Sequence, residues 1–337
     1  MSWLWRVPRT IPQSQLPRLR PLTWTRSASR IRAHIPPPFP IIETCPSPTC
    51  ACRPMPSGLD IDVEHSINGL MAPYAEQVLI STGKDDWTSK IEEDEVSVMA
   101  RGLKDLLGRG GKFSDPYHNV MITNSSFESP HQLSSNKGSV FLLPSFRYLP
   151  DIPLKPEGLE QMVKAFVLPT QLHQMHSVLP EQQKQNLLRD TALQDQFKGS
   201  RPVQEVLVLI CGHGGRDSRC GTMGPLFRSE FEEKLTMQGF EVLQGAVGSL
   251  GFGGASEKPT ARVGLISHIG GHKFAGNVII YVPPSFPENP LAGSGIWYGR
   301  VRPEHVEGIV ASTILQGKVI KELYRGGIAQ EGKLLLL

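Results

Sequence analysis

Residues 206–221 read VLVLICGHGGRDSRCG, and the rest of the chain is interpreted outward from them. Val206 to Ile210 is an unbroken β-branched and leucine run behind Pro202 and Glu205. Such a run, with no polar alternation, marks a strand buried on both faces. Cys211 therefore stands at the carboxyl end of a strand. Gly212, Gly214 and Gly215 let the backbone turn tightly and approach a cofactor. The loop returns Cys220 just before Gly224-Pro225, where proline suits the first turn of a helix. Met223, Phe227, Phe231 and Leu235 give that helix an apolar stripe. A thiolate at Cys220 would lie near the positive end of the helix dipole, which favours ionisation and metal binding.

Further on, residues 267–277 read SHIGGHKFAGN. In a helix His268 and His272 would share one face. Gly270 and Gly271 between them argue against a regular helix, so both histidines are placed on a tight loop with their rings directed the same way. Two thiols and two imidazoles form a donor set for a borderline metal. The glycine amides are free to hydrogen-bond a neighbouring acceptor such as a bridging sulfide. Taken singly, each residue has a simpler reading, because a lone cysteine is most often a small buried hydrophobe. A redox disulfide between Cys211 and Cys220 is a third reading, which leaves the histidines unexplained. His213 inside the loop is an alternative ligand, strained by its closeness to Cys211. Arg216, Arg219 and Lys273 flank the candidate ligands, where they stabilise added negative charge, dock an acidic partner or merely keep the loops soluble.

The chain of 337 residues is 39% hydrophobic, which suits a globular protein of two domains. No apolar run approaches the length of a membrane helix. Five cysteines are too few, and odd in number, for a disulfide-built scaffold. The formal net charge is +3, yet residues 1–42 contain seven arginines and no Asp, Glu or Lys. Removing those seven charges leaves the remainder at −4, and nothing in it indicates a nucleic-acid surface. The basic, hydroxyl-containing segment 1–42, ending in a proline-rich link, has the composition of a mitochondrial transit peptide. A disordered basic tail is the plainer alternative. Residues 45–52, CPSPTCAC, place Cys45, Cys50 and Cys52 in a linker spanning 43–69. They read as a redox thiol pair with a resolving partner, as a loose metal site, or as exposed thiols near a processing site. No dinucleotide-binding fingerprint follows a strand, since Gly251-Phe252-Gly253-Gly254 has the wrong spacing and context. A flavin or nicotinamide would have to come on another protein.

Three pairs of segments repeat in order. Gln77–Ile80 matches Glu205–Val208, Val140–Phe146 matches Ile279–Phe286, and Leu154–Val163 matches Val301–Val310. Two copies of one α/β unit follow, at 70–170 and 202–322, joined by a polar connector at 171–201 and ended by a tail at 323–337. In the first copy STGKDDW and TNSSF stand where the cysteine and histidine loops should fall, so that copy is degenerate and is kept for packing or partner binding. His173 and His176 in the connector read as solvated. The second copy is expected to carry strands at 205–210, 240–247, 262–267, 277–282 and 296–301 and helices at 225–237 and 303–315, with a glycine stretch at 248–254. Helices packed on a mixed sheet in this order predict a thioredoxin-like α/β layer arrangement.

The pattern C-x8-C followed by H-x3-H, with GGHKFAGNVIIY, resembles the sucrase/ferredoxin-like family of thioredoxin-fold ferredoxins. The resemblance implies a 2Fe-2S cluster in the second unit, with Cys211 and Cys220 on one iron and His268 and His272 on the other. It also implies electron transfer or thiol redox maintenance in mitochondria, with an unknown redox partner protein. Two thiolates leave such an oxidised cluster neutral, where four would leave it dianionic, so the histidines raise its potential. An imidazole with an exposed second nitrogen takes up a proton on reduction, which predicts a pH-dependent potential. Two other classes stay open: a structural zinc module, since Cys2His2 is also a zinc set, and a thiol oxidoreductase using Cys211/Cys220 or Cys45/Cys50/Cys52.

Overall fold

The structure is a computed structural model and describes residues 37–94, 97–131, 135–247 and 258–337. Of the segment 1–42 read as a transit peptide and link, residues 1–36 lie outside the described residues, as does the glycine stretch 248–254, whereas Ile41–Ile42 pair with Val319–Ile320. In chain order the strands are β1 (Ile41–Ile42), β2 (Glu76–Ser81), β3 (Val120–Ser125), β4 (Lys137–Leu143), β5 (Arg147–Pro153), β6 (Arg201–Pro202) and β7 (Val206–Cys211). They continue with β8 (Glu241–Val242), β9 (Thr260–Ile266), β10 (Val278–Val282), β11 (Ser294–Tyr298), β12 (Val319–Ile320), β13 (Tyr324–Ala329) and β14 (Leu334–Leu335). The helices are α1 (Val98–Leu107), α2 (Pro156–Met162), α3 (Glu181–Asn186), α4 (Ser218–Met237) and α5 (Pro303–Ile309).

One mixed sheet runs β14-β13-β11-β10-β7-β9-β3-β2-β4-β5-β6, with β8 beside β9. On one side of the β3–β9 junction, β2 pairs parallel to β3 and antiparallel to β4, which pairs antiparallel to β5. On the other side β7 pairs parallel to β9 and antiparallel to β10, which pairs antiparallel to β11. The two halves meet where Ser125 lies opposite Ile266. Each half then enters a helix with proline in its first turn, α2 at Pro156 and α5 at Pro303, where the missing N–H costs nothing. Both helices continue as a π-type turn, Val163–Val167 and Val310–Leu315.

Alternation along the strands sorts side chains into layers. Val206, Val208 and Ile210 face a core built with Met223, Phe227, Phe231 and Leu235 of α4. Val78 and Ile80 face a second core with α1 and α2. The opposite faces of both halves share a third core, in which Leu79 and Phe141 meet Leu207, Leu209, Tyr281 and Trp297. Cys211 and Cys220 belong to that third core.

Some expectations shift. Helix α4 begins at Ser218, seven residues ahead of Pro225, because Asp217 caps it by accepting from Arg219 N–H. Cys220 thus sits inside the first turn and Pro225 lies inside the helix. The strand expected at 240–247 shrinks to β8. His176 is buried against Asp115 Oδ1 at 2.9 Å, so it is a satisfied core group and not a solvated one. Residues 323–337, read as a tail, supply strands β13 and β14. Among the described residues no helix is long and apolar enough to cross a membrane.

Candidate metal centre

Cys211 ends β7 and Cys220 opens α4, and both are almost fully buried. The loop between them packs backbone on backbone against the helix. A Cβ on Gly221 would lie 2.7 Å from Gly214 Cα, and one on Gly224 would lie 2.7 Å from Gly212 Cα. These glycines therefore serve the close approach of loop and helix that brings the two sulfurs together.

The Cys211 thiol is held well below its ordinary value, first by the neighbouring Cys220 thiol and then, against burial, by His268. Cys220 moves the other way, raised first by Cys211 and then by burial. The pairing thus favours ionisation at Cys211 over Cys220, against the expectation from the helix dipole, because a shared proton and burial outweigh a partial charge at the helix end.

The histidine loop is tight, as expected. Gly270 and Gly271 adopt φ of +82° and +71°, and a short 3-10 turn spans His272–Phe274. The His268 and His272 ring centroids are 5.3 Å apart. His268 is half-buried and His272 is exposed. His268 Nδ1 is buried without a hydrogen-bond partner. Of the four residues named from the sequence, Cys211 thus neighbours Cys220 and His268, and His268 neighbours His272, with the sulfurs inside and His272 at the surface. Among the described residues no three His, Cys, Asp or Glu side chains converge closely enough to hold a single metal ion.

His213 is not a substitute ligand. Its ring is committed at both nitrogens: Nε2 donates to Trp87 O and Thr88 O at 3.1 and 2.8 Å, and Nδ1 accepts from His268 N–H at 3.0 Å. The loop carrying Trp87 belongs to the first half, in the STGKDDW segment. Its Asp86 carboxylate also accepts from Gly215 N–H at 3.1 Å. That segment, read as a degenerate ligand loop, braces the cysteine loop of the second half.

Of the flanking cations, Arg219 pairs with Asp217 at 2.8 Å and Lys273 with Asp62 at 3.1 Å. Arg216 reaches Ser89 Oγ at 3.2 Å. Arg219 and Lys273 are therefore offset by carboxylates. The cation that matters most was missed: Arg325 of β13 is buried and donates to Gly270 O, Asn277 Oδ1 and Leu70 O. Burial draws its pKa down to about 10, and Cys211 opposes that shift. The backbone of Asn277 accepts from Cys211 N–H at 3.0 Å, and its side-chain amide donates to Gly271 O at 3.0 Å. Asn277 and Arg325 together tie the cysteine strand to the histidine loop. The available signal was a single arginine within the apolar and glycine run of β13, since arginine is rarely buried without a task.

A family model described as Sucrase/ferredoxin-like matches residues 67–326. The chain belongs to this sucrase/ferredoxin-like family. The match spans both halves of the sheet and all four candidate ligands, and it leaves Cys45, Cys50 and Cys52 outside. Among curated relatives, a Debaryomyces hansenii protein named "Altered inheritance of mitochondria protein 32" is 32% identical over 85% of this chain and 96% of its own length. Proteins of the same name from Clavispora lusitaniae and Meyerozyma guilliermondii are 31% and 27% identical, each over 85% of this chain and 95% and 94% of their own lengths. No solved structure matches the chain.

Proposed function

We propose that this member of the sucrase/ferredoxin-like family is a mitochondrial electron-transfer protein. In this reading its two sheet halves are thioredoxin-like units, and the second holds a 2Fe-2S cluster through Cys211, Cys220, His268 and His272. The observation that carries the reading is His268 Nδ1, a buried nitrogen with no partner beside a thiol already drawn toward the thiolate. Buried polar atoms are rarely left unsatisfied, and an imidazole nitrogen next to two paired cysteine sulfurs is a metal-ligand arrangement. Four-coordinate zinc asks all donors to lie about 2.0–2.3 Å from one point. Burial of both sulfurs argues against attack by Cys211 or Cys220 on a substrate, so the pair is read as ligands.

When bound, the cluster would supply one-electron chemistry. The chain's own residues set its terms. Arg325 places a buried positive charge near Cys211, His213 and Asn277 fix the ligand loops, and exposed His272 marks the edge where a redox partner would approach. The relatives' printed name and the arginine-rich, acid-free start support the mitochondrial assignment.

Reconstitution of the purified full chain with iron and sulfide tests the reading. Wild type should gain broad absorption in the visible range, and Cys211→Ser and His268→Ala should lose it. His272→Cys should retain colour with a lower midpoint potential, because an added thiolate disfavours the extra electron. Histidine variants with the wild-type spectrum and potential would remove those ligands from the account.

A further inference from the structure

The three amino-terminal cysteines lie far from the candidate metal centre in the chain, on a segment laid across α4 and α5. Cys50 occupies a specific setting there. Lys234 of α4, only 2% exposed along its side chain, donates from Nζ to Cys50 Sγ at 3.0 Å and to Ala51 O at 3.1 Å. On the other side the Cys50 thiol donates to Glu307 Oε2 at 3.1 Å. Glu307 is itself oriented by Thr49, whose N–H and Oγ1–H donate to its two oxygens at 3.0 and 2.5 Å. The contact with Cys50 is the foremost reason that Lys234 stays charged well above the ordinary lysine range. Lys234 Nζ also pairs with Glu230 at 3.4 Å and Glu233 at 3.7 Å, which hold the ammonium in place but share its charge. A sulfur flanked by a fixed ammonium and an oriented carboxylate has the parts of an activated nucleophile.

The neighbouring thiols are set differently. Cys52 directs its Sγ to Cys50 O at 3.6 Å. Burial and then Glu230 raise its pKa. Cys45 is pushed up to about 12, by burial and then Glu322, and its thiol rests on His305 O. Cys50 and Cys52 are half-buried rather than enclosed, and Thr49 and Ala51 beside them are exposed, so a substrate sulfur has access.

We propose that Cys50 and Cys52 form a second redox site, a dithiol/disulfide couple acting on disulfide substrates, with Cys50 as attacking thiol, Lys234 as its counter-charge and Cys52 as resolving thiol. Cys50, as its proton leaves, attacks one sulfur of the substrate disulfide and expels the other half as a thiolate. Cys52 then attacks Cys50 Sγ and expels the remaining half. The two substrate sulfurs leave as thiols carrying the two cysteine protons, so the substrate is reduced by two electrons and the Cys50–Cys52 pair is oxidised by two. Cα atoms two residues apart are at most about 7 Å from each other, at the edge of disulfide reach. Closing the bond therefore asks for a bend of the chain at Ala51. This site does not depend on the cluster reading.

The test uses the full chain with glutathione disulfide as probe and peptide mapping of all five cysteines. A Cys50–Cys52 disulfide should appear, and Cys52→Ser should trap one glutathione on Cys50 with Cys45 untouched. Alkylation of Cys50 by iodoacetamide at neutral pH should slow about tenfold in Lys234→Met and should quicken in Glu307→Gln, which removes the opposing negative charge. If the contacts serve only to pin the segment, both variants loosen it and both quicken alkylation, which overturns the proposal. Glutathione found on Cys45 or Cys52 with Cys50 free overturns it as well. Should Lys234→Met fail to fold, the Cys52→Ser trap and the sign of the Glu307→Gln change decide.

Discussion

Arg325 and His213 act on the candidate ligands without being ligands themselves, and each makes a prediction at the scale of one residue. Arg325→Met removes three hydrogen bonds from a buried cation, so stability should fall by about 2–4 kcal/mol in urea unfolding. With a cluster bound through Cys211, the midpoint potential should fall too, because a positive charge favouring the added electron is gone. A variant with unchanged potential would place Arg325 in a purely structural role. His213→Ala leaves Trp87 O, Thr88 O and the His268 amide without their partner. A cost of about 1–3 kcal/mol and poorer metal retention are expected, measured by unfolding and by metal content after dialysis.

At the scale of elements, the account rests on helix α4 lying against the loop that leaves β7. Gly224→Ala puts a methyl 2.7 Å from Gly212 Cα, where neither backbone can yield. Thermal unfolding should show a loss of about 1–3 kcal/mol, with Cys220 displaced from Cys211. A neutral Gly224→Ala would mean that the approach is looser than described. This part of the molecule was also the most legible in sequence. An unbroken aliphatic run can hardly be anything but a buried strand, and the stripe from Met223 to Leu235 fixes the face of the helix. The start of α4 was not legible, because Pro225 signals a first turn more loudly than Asp217 signals a cap. The direction of the thiol shifts was also hidden, since it depends on Cys211 and Cys220 sharing a proton in a buried place, which no spacing expresses. Arg325 reaches Gly270 and Asn277 across 55 and 48 positions, and Asp86 braces Gly215 across 129, and only the sheet brings them together.

For the whole molecule, one buried carboxyl shapes the dependence of stability on pH. Glu76 of β2 is 4% exposed, and burial pushes its pKa up from 4.5 to about 7 against the Ser145 hydroxyl and the Arg189 charge. The folded chain therefore holds this proton more tightly than the unfolded chain. Its contribution is fully present below about pH 4.5, is lost as pH rises to about 7, and stays constant above that. Glu76→Gln should flatten that slope and raise stability at pH 8 by on the order of 2–3 kcal/mol, read from urea midpoints across the range. A slope that survives the substitution would assign it to another group. The continuous sheet explains why such a change far from the cysteines matters: β2 and β7 lie in one sheet joined through β3 and β9, so loosening one half loosens the brace on the other.

The most direct measurement is the metal and sulfide content of the full chain purified without oxygen, taken together with its visible spectrum. The account predicts a coloured protein with about two irons and two acid-labile sulfides per chain, both lost in Cys211→Ser. A colourless protein carrying one zinc, or a coloured one whose iron is unaffected by that substitution, would contradict it.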